Sequence, residues 1–503
     1  MARRRGSIDL SGLLKARGPM LTSDVARVLR RDGIQPAAAR QRTSRLPPDT
    51  TALQGVTFPK RKRFIFHKDD IGTGRYYRAL EEAIHAENPP LSSALRALDC
   101  RDGIMPLNQF TIACGCPIRQ KNQVSAERAL AGLLGTNLVH KVDVSGIGEC
   151  LVRGGTGGIA ADRVTRMRAR LAAESFLLDA MAGWLGRMNM VSPQVVKIRG
   201  EDGNPTYSTF EFDLCGPSYL APLVQVKAGK RAPGFMVADV ILGGEVDGKG
   251  VEPFLRKCAL LTNARGRRPF LPMFIAEGFT QDALNRCRSV GIVATRAETL
   301  FGRDVAMALG SLLEVLSSSA VAPPERLDFI FKRLSAIEGA AGNLRGALFE
   351  MVVSHMVTEL EGGSASIGVL LKNSESGRHA EVDVLLRKQK KVVCYECKGH
   401  QPTNVTKAQE IKRWIKDRIP TSYGAIVEQD SSIQVAFEYW TCGTFDDEAL
   451  KLLSEAAALT RRYKIAWKSG GDIRQYASGL AANGVRKHLA DHFFAHPLTK
   501  ALR

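Results

Sequence analysis

The sequence contains an internal repeat, which limits the folds that are open to the chain. Two stretches about 170 residues apart each present a helix, two apolar strands, and a later strand followed by a second helix. In this order, the second stretch carries the polar residues Glu350, Asp383, Glu396 and Lys398. The corresponding residues of the first stretch are Glu174, Asp213, Gln225 and Lys227. Helices that alternate with β-branched strands predict two tandem α/β units in a multidomain α+β protein.

The polar residues of the second stretch are spaced so that they can act together. Asp383 lies on one strand, and Glu396 and Lys398 lie two residues apart on the next, so their side chains share a face. Converging carboxylates bind a hard cation such as Mg²⁺ or Mn²⁺, which lowers the pKa of a bound water and neutralises charge on a phosphodiester. Cys397 points to the opposite face, but its backbone carbonyl can add a metal ligand.

This order of residues resembles the PD-(D/E)XK nuclease superfamily, whose members have the restriction-endonuclease-like fold. The resemblance extends over about residues 335–470 and, more weakly, over about residues 165–305. It implies that Asp383 and Glu396 bind the metal ion, that the helical acid Glu350 adds a ligand, and that Lys398 serves the attacking water. Val382 departs from the family pattern, which has a Pro at that place.

Alternatives remain open for both stretches. In the second, the acids and Lys398 could be solvated strand positions that form a surface ion pair. In the first, Gln225 replaces the acid, and an amide brings no charge to a metal unless Glu174 or Glu211 compensates. We therefore expect a degenerate nuclease-like domain that clamps DNA or forms a dimer, and independent catalysis by this copy is the alternative.

Residues 20–70 predict a DNA-binding module. A helix follows Thr22, the chain turns at Gly33, a second helix covers Pro36 to Leu46, and a basic strand follows, which is the order of a winged helix. The side chains expected to contact DNA are Arg40, Gln41, Arg42, Arg45, Lys60, Arg61, Lys62 and Arg63. Residues 102–152 repeat this order more weakly, so a second winged helix is expected there, either as a DNA contact or as a rigid spacer.

The charge of the chain favours a polyanionic partner. Its formal net charge is +20, with 71 Lys and Arg residues against 51 Asp and Glu residues. Residues 1–70 hold a large share of the excess, and this segment is expected to contact phosphate, although a solubilising basic arm has the same composition. No phosphate-binding G-x-x-x-x-G-K-[ST] motif is present, so an ATPase would have to be a separate partner.

These patterns divide the chain into five predicted segments. They are a winged-helix domain at 1–95, a second winged-helix-like domain at 96–155, a degenerate nuclease-like domain at 156–316, a linker at 317–326, and a catalytic nuclease domain at 327–503. The N-terminus has no continuous apolar signal-peptide core, and ten scattered cysteines fit a reduced compartment, so a cytoplasmic location is expected.

The sequence therefore predicts a DNA endonuclease that uses Mg²⁺ or Mn²⁺ to hydrolyse phosphodiester bonds, most naturally in double-stranded DNA. Bacterial antiviral defence or mobile-element biology is the expected setting, and a homodimer or a partner protein such as an ATPase is compatible with it. Two other functions stay open: a non-catalytic DNA-binding or regulatory protein with nuclease-like scaffolds, and a nuclease for structured RNA.

Overall fold

A computed structural model gives the fold of most of the chain. The residues that it describes are 9–144, 147–154, 160–192, 195–200, 203–227, 230–264, 266–318, 330, 341–399, 404–481, 485–486 and 489–494. The predicted linker at 317–326 lies outside these residues apart from its first two positions. No helix in the described part of the chain is long and apolar enough to cross a membrane.

The chain begins with a small unit of three helices and three short strands, which we call the first N-terminal unit. Its elements are α1 (Leu10–Arg17), β1 (Met20–Leu21), α2 (Thr22–Arg31), α3 (Pro36–Ser44), β2 (Thr50–Ala52) and β3 (Phe64–His67). The strands form an antiparallel sheet in the order β1-β3-β2. Val25, Leu29, Ala39 and Ile65 are buried between the helices and this sheet. The predicted succession of two helices and a strand is therefore observed.

Helix α4 (Gly74–Glu87) leads to a second unit with the same order of elements, the second N-terminal unit. Its elements are α5 (Pro89–Asp99), β4 (Ile104–Pro106), α6 (Leu107–Ala113), α7 (Ala126–Gly135), β5 (Val139–Val144) and β6 (Gly148–Arg153). The sheet order β4-β6-β5 repeats the order β1-β3-β2. The two N-terminal units therefore share one topology.

The first αβ unit follows, at residues 161–318. It begins with α8 (Ala161–Arg187), and its later helices are α9 (Glu252–Thr262), α10 (Gln281–Ser289), α11 (Ala297–Phe301) and α12 (Arg303–Ser318). Its strands are β7 (Lys197–Ile198), β8 (Thr206–Tyr207), β9 (Phe210–Glu211), β10 (Leu214–Ser218), β11 (Gln225–Lys227), β12 (Lys230–Ala232), β13 (Gly234–Val246), β14 (Phe270–Phe279) and β15 (Val293–Arg296).

The second αβ unit covers residues 341–494. Its helices are α13 (Ala341–Glu361), α14 (Ala408–Arg413), α15 (Ile419–Gln429), α16 (Asp447–Leu459) and α17 (Gly470–Ala477), with π-helical turns at Trp414–Arg418 and Leu489–Phe494. Its strands are β16 (Ser364–Lys372), β17 (His379–Lys388), β18 (Lys391–Lys398), β19 (Val405–Thr406), β20 (Gln434–Thr441), β21 (Thr444–Phe445) and β22 (Lys464–Lys468).

The main sheets of the two αβ units have one topology. The strand orders are β7-β10-β13-β14-β15 and β16-β17-β18-β20-β22. In each sheet the first three strands are antiparallel neighbours, and the last three run parallel. A long helix, α8 or α13, precedes each sheet. The chain is thus a mixed α+β protein whose architecture repeats, as the sequence predicts.

The strand pairing corrects one alignment made from the sequence. The repeat places Gln225 and Lys227 on the counterpart of β18, but among the described residues β11 pairs with β12 and does not join the main sheet. The strand beside β10 is β13. Residues 236–242 of β13 are all buried, and all of them except Asp239 are apolar, as a central strand requires. The true counterpart of β18 is therefore β13.

The two αβ units share a hydrophobic core. Helix α8 packs against α13. One cluster of buried side chains includes residues of both helices and both sheets, among them Phe176, Met181, Phe349 and Val352. The first αβ unit consequently supports the second along the helix that carries Glu350.

Candidate active site

The antiparallel pair β17 and β18 brings two predicted acids together. Val384 lies opposite Tyr395, so the adjacent residues Asp383 and Glu396 meet at the end of the paired region. The backbone N–H of Cys397 donates a hydrogen bond to Asp383 Oδ2 at 2.7 Å. Asp383 is 8% exposed and Glu396 is 5% exposed, because β18 is a central strand of the sheet. The two carboxyl groups are therefore not solvated surface positions.

Two cations hold Glu396. Lys398 Nζ donates to Glu396 Oε1 at 2.7 Å, and Arg418 Nη1 donates to Oε1 at 2.5 Å and to Oε2 at 2.7 Å. Burial acts to raise the pKa of Glu396, but Lys398 and Arg418 outweigh it and hold this pKa below its usual value. Sequence reasoning missed Arg418, since it comes from a π-helical turn whose position no spacing rule predicts.

Lys398 is fixed in its charged form. Burial acts to lower its pKa, but Glu396 and Asp383 raise it above the usual lysine value. These two acids favour the protonated form of Lys398, and an ammonium group donates hydrogen bonds and does not accept a proton from water. Lys398 can instead bind a phosphate oxygen or stabilise developing negative charge.

Glu350 and Asp383 have no such partners. Burial raises the pKa of Asp383 to about 6, with the negative charge of Glu396 adding to the effect. Burial likewise raises the pKa of Glu350 well above its usual value, and Asp383 contributes to this shift. Neither carboxyl group forms an ion pair with any other residue that the structure describes. The site therefore contains one buried acid, Asp383, and one half-buried acid, Glu350, that have no counterion among the described residues.

A further acid, Glu381, belongs to the same cluster. It lies two positions before Asp383 on β17 and so shares its face, and this spacing is the sequence signal that identifies it. Burial raises the pKa of Glu381 to about 7 against the opposing effect of Arg168. Arg168 lies on α8 of the first αβ unit and forms an ion pair with Glu381. The first αβ unit thus supplies a cation beside the candidate site of the second.

The first αβ unit has an equivalent arrangement of acids on β10 and β13. Leu214 lies opposite Ala238, so Asp213 and Asp239 occupy the places of Asp383 and Glu396. The N–H of Val240 donates to Asp213 Oδ2 at 2.7 Å, as that of Cys397 does to Asp383. Ile241 then takes the place of Lys398. The acid pair of this copy is therefore retained, with Asp239 and not Gln225 in the second position.

Built-in cations neutralise these acids. Arg199 donates to Glu174 Oε2 and to Asp213 Oδ1, both at 2.6 Å. Lys257 of α9 lies 2.5 Å from Asp239 Oδ2. Burial acts to raise the pKa of Glu174, but Arg199 outweighs it and the pKa falls below its usual value. Of the predicted degenerate site, Glu174 and Asp213 come together, whereas Gln225 lies on the β11–β12 hairpin and Lys227 on the same strand.

The pairing register of the strands identifies the residue of the second unit that corresponds to Arg199. Ile198 pairs with Leu214, which puts Arg199 opposite Asp213. Ile367 pairs with Val384, which puts Gly368 opposite Asp383. Gly368 has a φ of 63°, and the nearest atom to a Cβ at this position is a carboxylate oxygen of Glu381 at 4.0 Å. The second unit therefore has no side chain where the first has Arg199, and a Cβ at this position would meet no close neighbour.

The donor set fits a cation that keeps most of its water. Among the described residues, no group of three or more His, Cys, Asp or Glu side chains is arranged to hold a metal ion. Mg²⁺ is commonly held by only one or two carboxylates, with water and substrate phosphate completing its shell. Glu350 and Asp383, which lack neutralising partners, meet this requirement. Glu396, also predicted as a ligand, already forms ion pairs with Lys398 and Arg418. Cys397, whose backbone carbonyl was predicted as a further ligand, follows Glu396 on β18.

A cavity of about 880 Å³ adjoins the site. Glu350, Glu381 and Gly368 line it from the second αβ unit, and Arg168 and Arg199 line it from the first. Asn108 and Gln109 of the second N-terminal unit complete one wall. The volume lies within the range of about 300–1,000 Å³ that is common for small-molecule pockets. Three units of the chain therefore border the space in front of Glu350.

The predicted DNA-contacting residues fall into two groups. The first group is exposed or half-buried, forms no ion pair within the described part of the chain, and comprises Arg40, Gln41, Arg42, Arg45, Lys60 and Arg61. The second group has partners inside the protein: Lys62 forms an ion pair with Glu87, and Arg63 donates to the carbonyl oxygens of Thr43 at 2.7 Å and Ser44 at 3.2 Å. Arg63 therefore caps the C-terminal end of α3, a contact that the sequence did not reveal.

Comparison with known proteins adds no family to this description. The models of protein families give no match to the chain, and no curated protein is significantly similar to it.

Proposed function

We propose that the chain is a metal-dependent DNA endonuclease whose active site lies in the second αβ unit. One observation carries the proposal: equivalent acid pairs are bridged by Arg199 in the first unit and by no described residue of the second. Buried carboxylates without a counterion are costly, and a bound divalent cation removes that cost. Glu350 and Asp383 are the residues that would hold it.

The other residues of the site have separate tasks. A bound Mg²⁺ or Mn²⁺ would supply charge neutralisation at the phosphate and a water of lowered pKa. Lys398 keeps its proton and binds the negatively charged phosphate oxygens as they gain charge. Arg418 fixes the Glu396 carboxylate, and Glu396 in turn holds the Lys398 ammonium at 2.7 Å. Arg418 is thus a positioning residue for Lys398.

Several features support nucleic acid as the substrate. The net charge of +20 and the exposed arginines Arg40, on α3, and Arg45, directly after it, suit a phosphate backbone. The order of elements in the first N-terminal unit is that of a winged helix, in which α3 would enter the major groove and the turn at Lys60 and Arg61 would follow the backbone. A cytoplasmic, defence-related endonuclease, acting as a homodimer or with a partner ATPase, is the setting that we propose.

The first experiment asks whether the full chain cuts DNA and whether a cation is needed. Supercoiled plasmid, linear duplex and a structured RNA are incubated with the purified protein in Mg²⁺, Mn²⁺ or EDTA. We expect nicking or linearisation of plasmid with either cation and none with EDTA. Preferential cutting of the RNA would establish the structured-RNA alternative. DNA binding with no cutting of any substrate would favour the non-catalytic regulatory alternative.

A second prediction concerns α3. Replacing Arg40, Arg42 and Arg45 together with Gln should weaken duplex binding and reduce the salt dependence of the affinity. Each phosphate contact contributes a slope of about −0.9 in a plot of log affinity against log salt, so the slope should fall by up to about 3. Fluorescence anisotropy at several salt concentrations measures both quantities.

The matched control removes three exposed arginines elsewhere, Arg288, Arg461 and Arg462. It lowers the net charge by the same amount but leaves α3 intact, so its slope should stay close to that of the parent chain. Equal slopes for the two triple variants would show that α3 is not a specific contact and that the first N-terminal unit is a spacer.

A further inference from the structure

We propose that Arg199 is a built-in substitute for a metal ion, and that the first αβ unit carries a latent divalent-cation site which this guanidinium keeps closed. The inference rests on the proposed function only in treating the acids of the second unit as metal ligands. Its evidence comes from the first unit itself, where the acids, the backbone and the cation are all described.

Two acids of the first unit meet at a single cation. Glu174 of α8 and Asp213 before β10 are both 0% exposed, and one guanidinium reaches both. Asp239 lies beside Asp213, whose backbone N–H donates to Asp239 Oδ1 at 3.3 Å. Two carboxylates, one from a helix and one beside a strand, thus converge on Arg199, and Asp239 next to them has Lys257 as its own partner.

Further groups face Glu174 and limit what a substitution would do. Gln109 Nε2 donates to its Oε2 at 3.1 Å, the N–H of Leu242 donates to its Oε1 at 3.2 Å, and Arg170 Nη1 lies 3.8 Å away. Glu174 would therefore keep part of its compensation after Arg199 is removed. Asp213 would keep the backbone donor of Val240 but no cation.

At this register position the two units differ by one side chain. Arg199 and Gly368 occupy the same register, opposite Asp213 and Asp383. The replacement Arg199→Gly therefore reproduces in the first unit what the second unit already has. Because removing one member of a buried ion pair leaves an uncompensated charge, the acids of this variant need either protons or a new cation.

The same comparison explains why the first unit is not a second catalytic centre. The guanidinium occupies the place of the cation, and Ile241 replaces the lysine that would bind the phosphate. What remains is a neutralised, metal-independent core beneath α8. That helix carries Arg168 to Glu381 beside the candidate site, so the closed site helps to hold a rigid support for the active unit.

The experiment measures Mn²⁺ binding to the full-length chain near pH 7.5, by calorimetry and by the loss of the free Mn²⁺ signal in electron paramagnetic resonance. All variants carry Asp383→Asn, which removes a ligand of the second unit and separates this test from cleavage. Adding Arg199→Gly should create a site that binds Mn²⁺ at least 10-fold more tightly than any site in the parent. Adding Arg199→Lys, which keeps a cation, should not. Adding Asp213→Asn to Arg199→Gly should remove the new site.

Two Mn²⁺-binding results would overturn the proposal. A folded Arg199→Gly chain that binds no additional Mn²⁺ overturns the proposal. So does an Arg199-containing parent that already binds Mn²⁺ through Asp213. If Arg199→Gly does not fold alone, refolding with Mn²⁺ present should restore the native circular dichroism spectrum, and failure of that rescue also counts against the proposal. Failure of the parent chain to cut DNA would instead reject the proposed function and leave these binding results intact.

Discussion

Replacing Asp383 with Asn will abolish DNA cleavage and leave DNA affinity close to that of the parent chain. The substitution keeps the shape of the side chain and its hydrogen bond from Cys397 N–H, but it removes the charge that would hold the cation. Loss of one charge-stabilising group from an active site typically lowers the rate by about 100- to 1000-fold. Affinity should be maintained, because it comes mainly from basic residues that contact phosphate. Single-turnover cleavage at saturating protein, with anisotropy on the same duplex, separates the two effects.

The matched control is Asp447→Asn, which removes an exposed acid from α16 of the same unit and should cut at the parental rate. Glu396→Gln provides a second test of the site, since Glu396 holds Lys398 in place. Unchanged cutting by Asp383→Asn would mean that the chemistry occurs elsewhere in the chain.

Local patterns predicted the architecture well. Hydrophobic periodicity located α8, α13 and the strands that follow them, and the repeat in the sequence corresponds to a repeat of sheet topology. The spacing rule for strands also worked, since Asp383 and Glu396 meet on neighbouring strands and Lys398 contacts Glu396. Residues two apart on a strand must share a face, whatever the rest of the fold does.

The alignment of Gln225 failed for a physical reason. The segment Val224–Lys227 resembles a strand ending in x-x-Lys, but strand identity is set by burial in the sheet and not by the letters at its end. β13 has the longer apolar run and therefore takes the central place. Because Ile241 replaces the lysine there, the sequence of β13 offers no motif that would identify it as the counterpart of β18.

The cations that distinguish the two sites could not be predicted. Arg199, Lys257 and Arg418 lie 14, 18 and 22 residues from the acids that they contact, and no local rule fixes such contacts. The role of Gly368 is equally hidden, since it depends on a positive φ and on the register of β16 against β17. Sequence therefore located Glu350, Asp383 and Glu396, whereas the structure was needed to find Asp239 and Glu381 and to show which acids lack a counterion.

The strongest consequence of this difference is that one substitution should close the candidate site. Gly368→Arg will abolish cleavage, since an arginine at the register position of Arg199 can place its guanidinium between Asp383 and Glu350 and exclude the cation. We expect a rate loss similar to that of Asp383→Asn, of about 100-fold or more, together with loss of any thermal stabilisation by Mn²⁺. A side chain at a φ of 63° also costs about 1–2 kcal/mol of folding stability.

Gly368→Met separates this charge effect from backbone strain. Methionine has the same positive-φ penalty and a long side chain but no charge, so this variant should lose a similar amount of stability and still bind Mn²⁺. Its cleavage rate should stay within about 10-fold of the parent, because the acids keep their charge and the cation they hold. Differential scanning fluorimetry with and without Mn²⁺, followed by single-turnover cleavage, compares the two variants directly. If Gly368→Arg and Gly368→Met behave alike in both assays, the guanidinium does not reach the acids of the second unit, and the parallel between Arg199 and a bound cation fails.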